Sequence, residues 1–405
     1  MRLLLTYILA LAIGFSAMAQ TTDTVSLGAN YAFQVYYELE SGNKTSGLKN
    51  DWDIAFETTT AGYSILVNAA IGTELYLYPG DTSNWATVDT TGMSNWTRRL
   101  NSDTSWQYGA FARDQNSFDV GWGTYNIITH QVEGDKLFVI KLGNGQYQKV
   151  WIKSLANGVY TFRHGNLSGS MDMTHSLKKS DYAGKDFVHY SLQNHSVRNK
   201  EPLADNWDLF FGQFEAFVPT PYLVAGVLHK TGCKSAMAYP VADPSTFNDF
   251  GIQQFSNEIN VLGYDWKSYN MAIMDYELAD STVYFVRTAK GAIWKIIFLD
   301  FEGGSTGNVV FSKEKLIAAG LTSENGAGTF NVFPNPVDKV LNIVFTSQVD
   351  LAYTMVDLSG RVHLSGRLAG NSTAQSINVQ DLTPGVYFLT LTNGQQSNSQ
   401  RVLVK

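Results

Sequence analysis

The stretch Asn50-Asp-Trp-Asp-Ile-Ala-Phe56 decides how this chain is organised, because it occurs a second time as Asp205-Asn-Trp-Asp-Leu-Phe-Phe211. In each copy the Trp can fill the core of a β-sheet, and the Asp beside it can accept backbone N–H groups at the end of a strand. No partner base or nucleophile lies near Asp53 or Asp208. We therefore interpret the Trp-Asp pair as a structural motif rather than a catalytic one.

Three further landmarks surround each copy of this motif in the same order. An aromatic strand precedes the motif, and a Trp-x-x-Tyr-Asn segment and a hairpin with a Gly-containing turn follow it. The matching pairs are Phe33–Leu39 with Phe187–Leu192, Trp122–Asn126 with Trp266–Asn270, and Leu137–Gly145 with Val283–Gly291. Four landmarks in one order, found twice, predict a tandem duplication with modules at residues 25–170 and 180–317.

The composition favours a globular protein made of strands. Of the 405 residues, 44% are hydrophobic, 13% are aromatic and 16% are charged. Aromatic residues fit the half-buried surfaces of sheets. The net charge of -7 argues against a nucleic-acid partner, which would require a basic face. Cys233 is the single cysteine, so no internal disulfide can form.

Residues 1–19 have the pattern of a secretory signal peptide. Arg2 supplies the positive charge, Leu3–Phe15 form a short apolar run, and Ala17-Met18-Ala19 is a cleavage site of the A-x-A type. The run is too short for a permanent membrane anchor, and no later stretch is apolar enough to cross a bilayer. We expect a soluble mature protein that begins at Gln20 and is not transmembrane.

The pattern changes after the second module. Residues 320–329 are small and polar, which predicts a flexible linker. Beyond it, short strand-like runs alternate with the turns Leu358–Arg361 and Leu382–Gly385, a spacing typical of a small β-sandwich. The predicted fold class is therefore all-β, with two duplicated antiparallel β modules followed by a small C-terminal β-sandwich at residues 330–405.

Residues 330–405 resemble the type A C-terminal sorting domain of the type IX secretion system of Bacteroidota. The resemblance rests on Phe333-Pro334-Asn335-Pro336, on Asp381-Leu-Thr-Pro-Gly385-Val-Tyr387-Phe388 and on the terminal Val402-Leu-Val-Lys405. It implies Sec export, passage through the outer membrane and removal of the domain by a sortase. The expected partners are thus the type IX machinery and its sortase, and the protein is expected on the outer-membrane surface or outside the cell.

The duplicated modules resemble the HmuY family of surface and secreted haem-binding proteins. The resemblance rests on the aromatic strand, the Trp-Asp pair and the closing hairpin Phe285–Lys295. It implies an all-β fold, although the known members have a single module, and haem bound through two His or two Met side chains. His130 and Met274 occupy the same place after the shared Tyr-Asn pair, which makes them the candidate axial ligands. No other cofactor and no metal site are expected.

The sequence leaves three functions open, and none of them is enzymatic. It contains no G-x-S-x-G, no H-E-x-x-H, no P-loop and no catalytic Cys/His signature. The first hypothesis is a secreted or surface protein that binds a glycan or protein through exposed aromatic residues such as Trp85, Trp96 and Trp106. The alternatives are a haem or tetrapyrrole binder for iron acquisition, and a structural or adhesive surface protein.

Overall fold

The computed structural model describes residues 20–113, 115–217, 220–317, 330–345, 347, 349–370, 372, 374–393 and 397–405. The predicted signal peptide at residues 1–19 and the predicted linker at 320–329 lie outside the described residues. Within the described ranges, no helix combines the length and the apolar character that a membrane crossing needs.

Antiparallel strands are the main secondary structure of the described chain, which confirms the predicted all-β class. Up to residue 200 they are β1 (Thr21–Ser26), β2 (Phe33–Tyr37), β3 (Lys44–Leu48), β4 (Ile54–Glu57), β5 (Ile65–Val67), β6 (Glu74–Leu77), β7 (Arg98–Arg99), β8 (Thr124–Asn126), β9 (Gln131–Glu133), β10 (Phe138–Lys141), β11 (Tyr147–Ala156), β12 (Val159–Asn166), β13 (Asp172–Lys178), β14 (Phe187–Ser191) and β15 (Ser196–Arg198).

The later strands fall into two groups. Between residues 200 and 317 they are β16 (Leu209–Phe217), β17 (Pro221–His229), β18 (Lys234–Ala238), β19 (Lys267–Asn270), β20 (Asp275–Leu278), β21 (Val283–Arg287), β22 (Ile293–Phe301) and β23 (Asn308–Ile317). The C-terminal strands are β24 (Phe330–Phe333), β25 (Val340–Phe345), β26 (Leu351–Asp357), β27 (Val362–Leu368), β28 (Ala374–Asn378), β29 (Gly385–Thr392) and β30 (Ser397–Val404).

Helical structure is confined to short segments. Among the described residues it comprises the single turn α1 (Gly303–Thr306) and 3₁₀ segments at Ala29–Tyr31, Ala69–Ile71, Thr82–Thr87, Met93–Asn95, Ala110–Ala112, Lys179–Tyr182, Ala204–Asn206 and Phe250–Ile252.

The first strands of each sequence copy cross over to the other copy. β1 pairs with β23 and β2 pairs with β16, so the N-terminal strands complete sheets made by the second copy. In return, β14, the first strand of the second copy, pairs with β4 and completes a sheet of the first copy, and β13, which lies between the two copies, pairs with β12. The predicted modules 25–170 and 180–317 therefore do not close on themselves, because each contains strands that belong to the other's core.

Two hydrophobic cores result from this exchange. We call residues 51–200 the first unit and residues 21–48 together with 204–317 the second unit. The first core includes Ile54, Phe56, Trp122, Phe138, Phe162, Val188 and Tyr190, and the second includes Val25, Tyr37, Leu209, Phe211, Trp266, Tyr284 and Phe311. The duplicated Trp122 and Trp266 are both fully buried, one in each core. The first unit is thus continuous in sequence, and it is inserted into the second.

Residues 330–405 form the small β-sandwich that the sequence predicts. A three-stranded sheet, β24-β25-β28, and a four-stranded sheet, β27-β26-β29-β30, share one core. Leu341, Ile343, Met355, Leu389 and Val402 lie in this core. The sandwich contacts the second unit where Phe333 packs on Phe250, with ring centroids 4.3 Å apart.

Candidate functional site

The duplicated residues Asp53 and Asp208 accept hydrogen bonds from backbone N–H groups at the ends of the exchanged strands. Asp53 Oδ2 accepts a hydrogen bond from the Leu192 N–H at 2.7 Å, just beyond β14. Asp208 Oδ2 accepts one from the Leu39 N–H at 2.9 Å, just beyond β2. Each carboxylate thereby satisfies a backbone donor that the end of a strand would otherwise leave unpaired. This is the structural role that the sequence predicts for both Asp residues.

The duplicated Trp residues face rings from the exchanged strands. Trp52 and Trp207 are 8% and 3% exposed, so both are buried as predicted. Trp52 meets His189 with ring centroids 4.6 Å apart at an interplanar angle of 77°. Trp207 meets Tyr36 at 5.0 Å and 74°. His189 and Tyr36 occupy the same position in the two aromatic strands, so the two motifs build two corresponding halves of one aromatic site.

These two halves line a cavity of about 80 Å³ between the two units. The aromatic side chains that line it are Tyr36, Trp52, Trp106, Phe187, Trp207, Phe210 and Phe214. Both units contribute to this set. The cavity is therefore a product of the duplication, since neither unit could form it alone.

Side chains of the first unit reach across to the second beside the cavity. The Trp106 Nε1–H donates to the His229 carbonyl oxygen at 2.9 Å, and the Trp52 Nε1–H donates to Gln34 Oε1 at 3.0 Å. The Trp106 ring also meets Phe210 nearly at a right angle, at 84° and 5.8 Å. These contacts fix the separation of the two units around the cavity.

The charged residues that line the cavity are all acidic. They are Asp103, Asp186, Glu201 and Glu215. Glu215 is paired with Arg98 at 2.5 Å across the units, and Asp103 accepts a hydrogen bond from a backbone N–H. Among the described residues, Asp103, Asp186 and Glu201 have no ion pair, and Asp186 and Glu201 lie next to each other.

Asp186 and Glu201 form a buried pair of carboxyl groups beside Phe187. Glu201 Oε1 accepts hydrogen bonds from the backbone N–H groups of Asp186 and Phe187 at 2.8 and 3.1 Å. Burial, and then the charge of Asp186, raise the pKa of Glu201 to about 8, and burial also raises the pKa of Asp186. Within the described part of the chain, Asp186 Oδ2 is buried and has no hydrogen-bond partner.

Two further buried polar atoms of lining residues lack a partner among the described residues. They are Trp207 Nε1 and His189 Nδ1. Burial is the main cause that holds the pKa of His189 well below its ordinary value, so this ring is neutral at pH 7. An unsatisfied buried polar group costs about 1–3 kcal/mol. Groups of this kind mark places where water or a ligand completes the hydrogen bonding.

His130 and Met274, the predicted haem ligands, lie at corresponding places at the ends of the hairpins β8–β9 and β19–β20. Both have a positive φ, 54° and 56°. Each contacts the Tyr of its own hairpin, with His130 Nδ1 at 2.7 Å from the Tyr125 hydroxyl and Met274 Sδ at 4.0 Å from the Tyr269 hydroxyl. Both side chains are exposed, Met274 by 68%, and neither lines the cavity between the units.

The three Trp residues proposed as an exposed recognition surface are not exposed. Trp85 is buried and its Nε1–H donates to Asp172 at 3.0 Å. Trp96 is half-buried and packs edge-on against Tyr78, and Trp106 lines the cavity. An indole in a long loop can cover apolar surface while its N–H finds a partner, and the loop's polar composition conceals this packing. The sequence-based hypothesis of an exposed Trp surface is therefore wrong.

The opening segment of the predicted sorting motif, Phe333–Pro336, secures the last strand of the C-terminal sandwich. Asn335 Nδ2 donates to the Arg401 carbonyl oxygen at 2.9 Å, and Asn335 Oδ1 accepts from the Leu403 N–H at 2.8 Å. Both partners lie on β30. The segment therefore links the first and last strands of the sandwich.

The remaining predicted sorting residues lie at the opposite end of the motif. Gly385 begins β29, and the buried Tyr387 donates its hydroxyl to the Thr383 carbonyl oxygen at 2.8 Å. The Lys405 N–H donates to the Val337 carbonyl oxygen at 2.8 Å, which secures the C-terminal residue. The motif residues thus hold this sandwich together, and their roles in sorting stay predictions.

Comparison with protein families identifies the C-terminal region. Residues 331–405 match the family described as the secretion system C-terminal sorting domain. The resemblance predicted for this region is therefore confirmed. A domain of this family indicates export by type IX secretion, with the secretion machinery as a partner and the cell surface or the outside as the destination.

The other comparisons concern the whole chain. No curated protein matches it. Among solved structures it is similar to a chain described as "Biofilm associated protein - BSP domain", with 10% identity, 93% of this chain and 67% of that chain covered, and a TM-score of 0.20. Likeness at that TM-score supports no argument about fold or function. The resemblance of the modules to the HmuY family stays a prediction.

Proposed function

We propose that this exported protein is a non-enzymatic binding protein that takes a small ligand into the cavity between its two units. The observation that supports the proposal is the composition of that cavity. Both copies of the Trp-Asp motif contribute to it, and its lining residues Asp186, His189 and Trp207 carry buried polar atoms without a partner among the described residues.

The size of the cavity limits the ligand. Its volume of about 80 Å³ leaves room for roughly five to eight water-sized groups. A ligand of that size gains apolar contact with the aromatic walls, and its polar atoms can satisfy the unpaired groups. We therefore expect a small molecule with one polar end rather than a polymer.

A cavity-filling variant tests this site. Ala70 lines the cavity, and Ala70→Trp should occupy it, whereas Ala289→Trp changes an exposed alanine outside it. Ligand-observed NMR with a set of small cationic, neutral and anionic compounds should identify ligands that bind the wild type and Ala289→Trp but not Ala70→Trp. An identical set of ligands for all three proteins would show that the cavity is not the binding site.

Haem binding is the second candidate, supported by the two hairpins that carry His130 and Met274. Their ends expose apolar side chains, Ile127 and Ile128 in one hairpin and Met271 and Ile273 in the other. A haem bound there would cover apolar surface and find a ligand of a suitable type. The cavity between the units is too small for haem, because its volume of about 80 Å³ lies far below the roughly 300–1,000 Å³ of pockets that hold drug-sized ligands.

Titration with haemin tests the second candidate. The wild type, His130→Ala and Met274→Ala are titrated under oxidising and reducing conditions, and the Soret band is followed. Loss of the spectral change in either variant would support haem ligation by that residue. A wild type without a Soret change removes haem as a ligand, and unchanged binding in both variants rejects these two residues as the ligands.

Deletion of residues 382–405 tests the export route. The deletion removes β29 and β30, which supply Tyr387, Leu389 and Val402 to the core of the sandwich. The truncated protein should accumulate in the periplasm, while the full chain reaches the surface or the medium. Immunoblots of the cell fractions measure this, and surface delivery of the truncated protein would contradict the route.

A further inference from the structure

We propose that the ligand of the cavity between the units is a small organic cation of the alkylammonium type. This inference rests on the proposed function, because it names the class of ligand for the same site. Three observations carry it: the arrangement of the aromatic rings, the sign of the lining charges and the unpaired acceptor on Asp186.

The aromatic rings surround the cavity from several directions. Tyr36 meets Trp207 at 74° and Phe210 at 66°, and Phe210 meets Trp106 at 84°. In each of these contacts the edge of one ring meets the face of another, so the rings that line the cavity have several orientations. A cation within about 6 Å of several ring centroids is attracted to each of them, and this attraction grows when the cation leaves water.

The charges of the lining residues favour a positive ligand. Asp103, Asp186, Glu201 and Glu215 line the cavity, and no Lys or Arg does. Lys185 and Lys230 lie close enough to lower the pKa values of Glu201 and Asp186, but neither is ion-paired with them. Lys185 donates to Asn199 Oδ1 at 2.8 Å and to the Glu201 carbonyl oxygen, and Lys230 donates to the Ala204 carbonyl oxygen. An anion would meet carboxylates in a site of low polarity. A cation would find the acceptor that Asp186 Oδ2 leaves without a partner in the described part of the chain.

A trimethylammonium group with a short hydroxyl-bearing tail fits these features. Its methyl groups are apolar enough for the aromatic walls, its charge matches the carboxyl groups, and a single hydroxyl group can pair with one unsatisfied buried atom. Choline has this structure and serves as the probe. Its neutral carbon analogue, in which a quaternary carbon replaces the nitrogen, has the same shape without the charge.

The pH dependence of binding gives a second signature. The free protein holds a proton on Glu201 up to about pH 8. Asp186 and Lys185 face this carboxyl, together with the N–H groups of Asp186 and Phe187, and the neighbouring His189 is neutral. A cation favours the ionised form and displaces the proton. Choline affinity should therefore rise with pH up to about 8, by at most about tenfold per pH unit for one released proton.

Calorimetric titration of the purified protein tests the inference. Choline should bind about tenfold more tightly than its neutral carbon analogue, a preference expected for a partly desolvated cation–π site. Asp186→Asn should abolish most of this preference, and Glu133→Gln, an exposed carboxylate outside the cavity, should leave it unchanged. Because Asp186→Asn could also alter folding, the pH series on the wild type gives a readout that needs no variant.

The outcomes separate the ligand class from the site. Equal affinity for choline and its neutral analogue, or tighter binding of an anionic compound, overturns the cation proposal while the cavity stays a binding site. A choline affinity that does not rise between pH 6 and 8 also overturns it. Compounds that bind equally well to the wild type and Ala70→Trp overturn both the ligand class and the site.

Discussion

The two units use the same motif, but they complete it with different partners. Asp53 is fully buried and accepts hydrogen bonds from the Leu192 N–H, the Gln193 N–H, Gln193 Nε2 and Ser191 Oγ. Asp208 accepts from the Leu39 N–H and has Cys233 Sγ 4.0 Å away. The backbone bond is common to both units, whereas the side-chain partners differ. Holding the exchanged strand is thus the shared role of the motif.

The indole groups show the same asymmetry. The Trp52 Nε1–H donates to Gln34, whereas Trp207 Nε1 lacks a partner among the described residues. The ring facing Trp52 is His189, and the ring facing Trp207 is Tyr36. The Trp52 indole is therefore satisfied within the protein, whereas the Trp207 indole retains a donor without a partner among the described residues. The difference between the two indoles adds one donor to the unpaired polar atoms of Asp186 and His189 that the first unit contributes.

The largest expected effect comes from dividing the chain. Residues 51–200 contain every strand of the first unit, so this fragment should unfold cooperatively and remain monomeric. Residues 20–170 lack β13, β14 and the residue after β14, which together supply Leu177, Val188, Tyr190 and Leu192 to the first core. This second fragment should fail to fold as a stable monomer. Circular dichroism melts and size-exclusion chromatography measure both, and a 20–170 fragment at least as stable as 51–200 would show that the copies can close on themselves.

Emptying the aromatic positions should have the next largest effect. Trp52→Ala and Trp207→Ala should each lower the free energy of unfolding by about 3–5 kcal/mol, the range for removing a large buried aromatic side chain. The Trp→Phe variants distinguish the two positions, because Trp52→Phe loses a hydrogen bond to Gln34 and Trp207→Phe loses none. Trp52→Phe should therefore lower the free energy of unfolding by about 1 kcal/mol more than Trp207→Phe. Urea denaturation measures all four variants, with the half-buried Trp96→Ala as a control. Equal costs for the two Phe variants would contradict the asymmetry.

Replacing Asp53 should lower the stability more than replacing Asp208. Asp53→Ala leaves several buried donors unpaired, and we expect a loss of about 2–4 kcal/mol; Asp208→Ala leaves one backbone donor and should lose about 1–2 kcal/mol. Burial raises the pKa of Asp208, which further reduces what its charge contributes. Denaturation at pH 7 compares the two variants. A larger loss for Asp208→Ala would reverse the comparison.

The smallest expected effect concerns a histidine stack in the first unit. His164 stacks with His175 and His195 at centroid distances of 5.2 and 5.3 Å, whereas His229 is the single histidine of the second unit. Burial, and then the charges of His175 and His195, lower the pKa of His164 to about 3, below its ordinary 6.5. The unfolded chain therefore binds a proton below pH 6.5 that the folded chain rejects, so stability is lost as the pH falls toward 3.

Removing this histidine should reduce the acid sensitivity. A rejected proton costs at most about 1.4 kcal/mol per pH unit, and His164→Phe should lessen the slope of unfolding free energy between pH 6 and 4 by up to that amount. The raised pKa of Glu201 acts with the opposite sign, because the folded chain then keeps a proton that the unfolded chain has released. Urea denaturation at several pH values measures the slope, with the exposed His130→Ala as control. An unchanged slope in His164→Phe would exclude this stack as a source of acid sensitivity.

The sequence was sufficient to predict the strands, the duplicated motif and the sorting domain, because these depend on local patterns. Alternation of residues marks which face of a strand is buried, but it does not identify the partner strand. Both aromatic strands carry similar alternation, so pairing within a copy and pairing between copies bury equivalent surfaces. The exchange was therefore not predictable from the pattern, and the module boundaries at residues 25–170 and 180–317 follow the sequence repeat rather than the cores.

The cavity, too, could not be predicted from the sequence. Asp186 and Glu201 belong to no motif, and they meet because they flank the hairpin formed by β14 and β15. The aromatic positions gave a partial signal, since Trp52 and Trp207 were predicted as buried equivalents. The hypothesis for Trp106 was wrong for the same reason that the cavity was missed: its partner, the His229 carbonyl oxygen, lies on the other unit.

The pairing of β1 with β23 also affects the order in which the protein can fold. Thr21 lies opposite Lys313, and the two residues are 292 positions apart in the chain. Contacts between such distant residues form slowly, because the intervening chain must first be brought together. The first unit can be completed once residue 200 has been synthesised, but β1 has no partner until β23 exists. The segment that contains β1 is therefore among the first to be made and the last to be incorporated.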